Sequence, residues 1–169
     1  LSDENLNEYE YIFDLDAKNE GLLTPGTVQY VAKGYNFKEL GYDVHGLSVD
    51  QSNPAAVTAL VAQLKEQFGC LHGFINNAVS RPMKGYYAPL EQFESSMEEN
   101  ATGMFDLLRS LSELIVESGG GSVVNIASMM GMRGPDLSNY DGTDMGTPPP
   151  DYFFHNAGLI NLTRYMARV

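Results

Sequence analysis

The chain is predicted to be an α/β domain, a parallel sheet wound with helices on both of its faces. Two observations carry that expectation. Short apolar runs of strand character alternate with longer stretches of helical periodicity. The polar residues of greatest interest, Asp14, Asp50, Asn76 and Ser128, follow the apolar runs directly, at the carboxyl ends where such sheets place their ligands. With 169 residues, of which 43% are hydrophobic and 19% charged, the chain suits a single domain over residues 1–169 with a core of its own.

Taken in order, Tyr11-Ile12-Phe13 is a β-prone run ending in Asp14-Leu15-Asp16. Pro25-Gly26 breaks the chain before Val28 to Leu40, a helical stretch that Gly34 interrupts. Val44 to Val49 reads as a second strand closed by Asp50. Asn53-Pro54 then opens a helix with an apolar stripe of Val57, Leu60, Val61, Leu64 and Phe68, and Gly69 stops it. Leu71 to Ile75 is a third strand, running into Asn76-Asn77-Ala78 and a loop punctuated by Pro82, Gly85 and Pro89. One long helix is expected from about Glu91 to Glu117, ended by Gly119-Gly120-Gly121. Val123 to Ile126 makes the fourth strand and stops at Ala127-Ser128. After a polar, Gly/Pro-rich loop to Pro150, a last helix starts near Asp151, expected as its N-cap, and carries Tyr152, Asn156, Leu159, Ile160 and Leu162.

Charge and composition exclude several classes of function. A formal net charge of -12, with only 10 Lys and Arg, repels phosphate backbones and anionic lipid surfaces, so neither nucleic acid nor membrane is an expected partner. Cys70 is the single cysteine, which rules out an internal disulfide, and His45, His72 and His155 are too scattered to form a zinc set. No apolar run approaches the roughly 20 residues that span a bilayer, and Leu1 to Glu10 is acidic rather than signal-like, so a cytoplasmic location is expected.

Five local motifs in order and spacing, at 49 to 54, 76 to 78, 100 to 105, 121 to 128 and 151 to 163, make the chain resemble the short-chain dehydrogenase/reductase family. They read Val-Asp-Gln-Ser-Asn-Pro, Asn-Asn-Ala, Asn-Ala-Thr-Gly-Met-Phe, Gly-Ser-Val-Val-Asn-Ile-Ala-Ser and Asp-Tyr-Phe-Phe-His-Asn-Ala-Gly-Leu-Ile-Asn-Leu-Thr. The resemblance, covering about Tyr11 to Val169, implies a Rossmann-like sheet and hydride transfer between a nicotinamide cofactor and an alcohol or carbonyl. It implies that Tyr152 is the general acid or base, that Ser128 hydrogen-bonds the same substrate oxygen, and that Asn100 bends its helix and holds a water in a proton relay. Asn76 and Ala78 would border the cofactor, Asp50 would sit near the adenine ring, and Asp14 would take the adenosine ribose hydroxyls. An acidic residue there implies NAD rather than NADP, whose 2′-phosphate would meet a like charge. The insert from Met129 to Pro150 is similar to members found among polysaccharide- and flagellin-modification genes, which points to a sugar-like substrate. The helices bearing Asn100 and Tyr152 commonly pack against a second subunit in this family, implying a homo-oligomer.

Each residue also has a plainer reading by itself. Asp14 and Asp50 serve equally as soluble strand ends, Asn76 and Asn77 as turn formers, Ser128 as a strand-terminal serine, and Tyr152 as an aromatic at a helix start. The chain also departs from the pattern. Asn156 stands where the family has a lysine, one helical turn after Tyr152. Bringing a tyrosine from a pKa of about 10 to about 7 takes roughly 4 kcal/mol, at about 1.36 kcal/mol per unit. Without that help proton transfer slows by up to about a thousandfold. The amide can still meet a ribose hydroxyl, so Asn156 counts as both a catalytic and a cofactor position; His155, about 100° round the helix from it, is not expected to take its place. No glycine-rich phosphate loop matches, since Gly21 and Gly26 have the wrong spacing. Val79 replaces the usual glycine, and the strands beyond Val169 are not evident. The fold is therefore expected as a Rossmann-like domain that is partial, without the glycine-rich first βα unit and the C-terminal strands. Two functions stay open: an NAD-linked short-chain oxidoreductase of a small alcohol or carbonyl, and a non-catalytic Rossmann-like binding domain or piece of a longer oxidoreductase.

Overall fold

In a computed structural model, residues 45–143 and 147–169 are described, and the chain divides into two units, Leu1–Asp50 and Gln51–Val169. The expected strand at Tyr11 to Phe13, the helix of Val28 to Leu40 and the ribose-binding Asp14 lie outside the described residues. Of the second expected strand, residues 45–49 are irregular and Asp50 makes a single bridge. An apolar pattern says which side chains would share a face, whereas a strand also requires a neighbouring ladder along its length.

The second unit builds from helices and a parallel pair of strands. Helix α1, Pro54–Phe68, begins where the side chain of Asn53 accepts hydrogen bonds from the amides of Ala55 and Ala56, at 3.0 and 3.4 Å. Pro54 at the first helical position costs no internal hydrogen bond, and Gly69, at φ 75°, closes the helix by donating to the Lys65 carbonyl. Strand β1, Gly73–Asn76, follows. The long helix expected from 91 to 117 is three pieces in continuous succession: α2, Leu90–Met97; a π-helical segment, Glu98–Gly103; and α3, Met104–Glu117. Strand β2, Ser122–Asn125, pairs in parallel with β1, from Gly73 opposite Ser122 to Asn76 opposite Asn125. Two short 3-10 turns, Met129–Gly131 and Leu137–Tyr140, precede α4, Pro150–Met166. The α/β class with a parallel sheet is therefore as the sequence implies: β1, α2 with α3, and β2 form one strand-helix-strand crossover.

Helix α3 buries Met104, Leu107, Leu108, Leu111, Leu114 and Ile115, which return at three- and four-residue intervals on one stripe. Met104 and Leu108 join Leu159 of α4 in a core that Phe74 of β1, Val123 of β2, Leu162 and Met166 flank. On the alternate positions of the strands, Ile75 is 66% and Val124 45% exposed. Among the described residues no helix is long and apolar enough to cross a membrane.

Asp151 is not the N-cap of α4. Pro150 already occupies the first turn, and the preceding residue, Pro149, offers no side-chain cap. Asp151 is instead 2% exposed, and its carboxylate accepts a hydrogen bond from the Ser96 hydroxyl of α2. A proline is pre-shaped for the first helical position, which moves the helix start one residue earlier and turns the acid inward.

Gly121 stands where the chain enters β2, and a Cβ there would overlap the His72 carbonyl that accepts from Ser122 N at the start of the ladder. Gly121→Ala is expected to lower stability by about 1–3 kcal/mol, as overpacking does, read as a fall in the urea midpoint. Alanine at Gly134, around which the structure leaves open space, should change it little.

Candidate active site

Two polar seams hold the carboxyl ends of the strands against α4. Asn76 donates to the Asn125 side chain at 3.0 Å, and Asn125 donates to the Thr163 hydroxyl at 3.0 Å. Matched register puts these two asparagines directly opposite each other, so the ends of β1 and β2 are joined to the helix behind them. The second seam centres on Asn100 in the π-helical segment. Its Oδ1 accepts from Ser80 N at 2.8 Å, and its Nδ2 donates to Ser80 O at 2.9 Å and to Ser96 Oγ at 3.0 Å. Ser96 passes the chain on to Asp151. Both donors of the Asn100 amide are thereby engaged within the fold. The helix widens by a π turn at the same place, a common device for aiming a side chain out of the regular repeat.

Beyond these ends lies an open cleft of about 170 Å³, whose wall includes Asn76, Ala78, Asn100, Tyr152, His155 and Asn156. Five of the sequence-derived positions, Asn76, Ala78, Asn100, Tyr152 and Asn156, thus share it. Ser128 lines a neighbouring cleft of about 320 Å³ with Met129, Met130 and Pro149; Tyr152 and Arg81 belong to the walls of both. Ser128 also accepts from Met130 N at 3.1 Å, fixing the 3-10 turn that follows it. Gly131 lets that turn approach α4, because a Cβ would come within 2.7 Å of the Asn156 carbonyl carbon. Asp50 is exposed and belongs to the first unit, and Asp14 is outside the described residues. Val79 lines the first cleft and keeps 41% of its surface exposed, so its bulk enters the space that a glycine would leave free.

Asn156 is 4% exposed, and its amide turns back to donate to the Tyr152 carbonyl at 2.8 Å. His155, set aside from the sequence, lines the same cleft: its ring meets Tyr152 edge-to-face at 5.4 Å between centroids. The 100° offset from Asn156 does not keep His155 from Tyr152. Counted from Tyr152, three residues on is about 60° round the helix and four residues on is about 40° in the other sense, so both positions flank it. The Arg81 guanidinium stands 5.2 Å from the Tyr152 ring centroid, a cation over an aromatic face.

Arg81, Ser96, Asn125 and Thr163 were not singled out from sequence. Ser96 carried a usable signal, since it precedes Asn100 by four residues and must share its helix face. Arg81 is in a loop, where no periodicity reports direction.

Burial holds the His155 pKa below the usual histidine value, against the raising effect of the Asp151 carboxylate and with a smaller lowering effect from Arg81. A histidine depressed on folding takes up its proton more readily when unfolded, so its contribution is intact above the unfolded value of about 6.5 and is lost as pH falls from there through the folded value. Thermal melts are expected to show stability declining below about pH 6.5 in the wild type, and a shallower decline in His155→Gln.

Residues 27–147 match the family described as short chain dehydrogenase. The 3alpha-hydroxysteroid dehydrogenase of Mediterraneibacter gnavus is 32% identical over 100 residues, covering 57% of this chain and 40% of the relative. Levodione reductase of Leifsonia aquatica is 33% identical over 123 residues, covering 70% and 41%. The crystal structure of an NAD+-bound xylitol dehydrogenase superposes with a TM-score of 0.65 at 26% identity, over 77% of this chain and 46% of that one. The chain spans about half the length of the curated relatives it matches. With the family match running from ahead of β1 to the loop before α4, and the fold shared with these structures, the chain belongs to the short-chain dehydrogenase/reductase family.

Proposed function

We propose that this chain carries the acid-base centre of an NAD-linked oxidoreductase that interconverts a small, neutral alcohol and its carbonyl. The observation that supports this most is Tyr152 standing in the wall of two clefts at once, one bordered by amides and one by apolar side chains. A hydride transfer needs such a partition, because the proton donor must reach the oxygen of a substrate whose carbon faces a second bound molecule.

The first cleft suits the nicotinamide end of a dinucleotide. Asn76, Asn77 and Asn156 offer neutral hydrogen-bonding groups to an amide and to ribose hydroxyls, and Ala78 allows close approach. When bound, the dinucleotide supplies or accepts the hydride. Asp14 favours NAD over NADP through its charge. In the second cleft Met129, Met130 and Pro149 keep water from the substrate carbon chain, while the Ser128 hydroxyl hydrogen-bonds its oxygen. Tyr152 exchanges a proton with that oxygen. Asn100 positions these groups by holding Ser80 and Ser96, and need not move a proton itself.

A second reading, dinucleotide binding without hydride transfer, is supported by Asn156. Its neutral amide is bonded to the helix backbone and brings no charge to Tyr152.

Fluorescence of NADH and thermal shifts with each dinucleotide test the cleft, and dehydrogenation of a small polyol such as xylitol tests the chemistry. Tyr152→Phe is expected to leave dinucleotide affinity nearly unchanged and to reduce turnover by about 10²- to 10⁴-fold. Asn156→Lys is expected to raise turnover, by up to about a thousandfold if it brings the full electrostatic benefit to Tyr152. Binding without turnover in the wild type and in Asn156→Lys alike favours the second reading, and no binding of either dinucleotide rejects both.

A further inference from the structure

The amide-lined cleft has few groups able to move a proton. Among the described residues of its wall only Arg81, Tyr152 and His155 are ionisable, and an arginine does not release its proton in a protein. A tyrosine in water ionises only near pH 10, so at neutral pH a tyrosine that takes a proton from an alcohol must pass its own to a base. Among the described residues that line the cleft, His155 is the one that meets this need. Its ring is in edge-to-face contact with Tyr152. It is 7% exposed; its Nδ1 lies 3.4 Å from the Asn156 amide nitrogen, and its Nε2 is buried with no hydrogen-bond partner among the described residues.

One helical turn before it, Asp151 presents a matching gap. Ser96 donates to Oδ2 of that buried carboxylate, and Oδ1 has no partner. A carboxylate fixed by a serine, beside a buried imidazole with an unmet nitrogen, is an arrangement that steadies a positive charge formed on the ring. The groups acting on His155 are Asp151 from its own helix, favouring the charged ring, and Arg81 from the loop after β1, opposing it together with burial. The resting ring is therefore neutral at neutral pH and able to accept.

We propose that His155 acts through Tyr152 as its proton acceptor during alcohol oxidation, the place that asparagine at 156 leaves vacant, with Asp151 stabilising the imidazolium that forms. This rests on the nicotinamide-dependent reading above. In the step, the Tyr152 hydroxyl and an imidazole nitrogen, whose rings touch without a hydrogen bond at rest, close to hydrogen-bond distance; the alcohol O–H bond breaks as its proton passes to the Tyr152 oxygen, and the Tyr152 O–H bond breaks as that proton passes to the nitrogen. The carbon–hydrogen bond breaks with its electron pair leaving as hydride to the oxidised nicotinamide, so the alcohol is oxidised and the nicotinamide reduced. Afterwards the imidazolium gives its proton to water.

The pairing is tested without cofactor by NMR titration of ¹⁵N-histidine in the full chain. Tyr152→Phe is expected to move the His155 midpoint by about half a unit or more, the worth of the hydroxyl–imidazole hydrogen bond that the transfer requires. Asp151→Asn should lower it by about one unit. A His155 midpoint unmoved by Tyr152→Phe overturns the proposal. With NAD+ and a polyol, turnover of the wild type should fall on the acidic side along the His155 titration. His155→Gln should remove that limb and lower kcat about a hundredfold with KM nearly unchanged, and added imidazole should restore part of the rate in His155→Ala. If the limb survives in a folded His155→Gln, the relay is overturned while the dehydrogenase reading stands. If the NMR coupling is present but no variant turns over, the His155–Tyr152 pairing stands and the hydride-transfer reading falls.

Discussion

The cleft depends on one chain of hydrogen bonds, part-buried from Ser80 to Asn100 and buried from Asn100 to Ser96 to Asp151. It crosses from the loop after β1, through the π-helical segment and the end of α2, to the first turn of α4. Tyr152 and His155 follow Asp151 by one and four residues, so the anchor that fixes Asp151 also fixes them. In a low-dielectric interior each of these bonds is strong, and any broken link leaves a costly unsatisfied group. That penalty keeps the helix start in one position, and with it the phenol.

A second constraint acts from the sheet. Asn76, Asn125 and Thr163 tie both strand ends to α4, while Gly131 lets the turn after Ser128 lie against the backbone at Asn156. The apolar core of Met104, Leu108 and Leu159 lies behind these ties and gives them a rigid base. The strand ends, the turn after Ser128 and the first turns of α4 are thus held together around an uncharged Asn156. Asn156 spends its amide on the Tyr152 carbonyl, leaving Arg81 and His155 as the ionisable neighbours of the phenol among the described residues. Those two differ in what they can do. Arginine supplies a fixed field, whereas imidazole can also take and return a proton.

Much of this was legible locally. Asn53-Pro54 and Gly69 bracket α1 because a cap, a proline and a left-handed glycine act within a turn of the residues they govern. The strands begin and end one or two residues from their expected places, as a pairing register sets their limits rather than their own composition. Asn76, Ala78, Asn100, Tyr152 and Asn156 were grouped from the order of five motifs, and they do line one cleft. What sequence does not show about Asp151 and His155 has one cause. Helix position alone makes Asp151 a cap and turns His155 away from Asn156, whereas the α2 serine that meets Asp151 and the Arg81 loop that acts on His155 come from other elements.

The sequence by itself determined the alternation of strands and helices, the family, and the loss of the lysine charge, since these are properties of spacing and residue type along the chain. Only the tertiary structure decided what surrounds Tyr152. The π turn, the Ser96–Asp151 link, the Arg81 cation and the imidazole beside the phenol depend on partners as far as 55 residues apart. Such pairings are chosen by the packing of whole elements and by the need to satisfy every buried polar group, and no local rule of sequence encodes them.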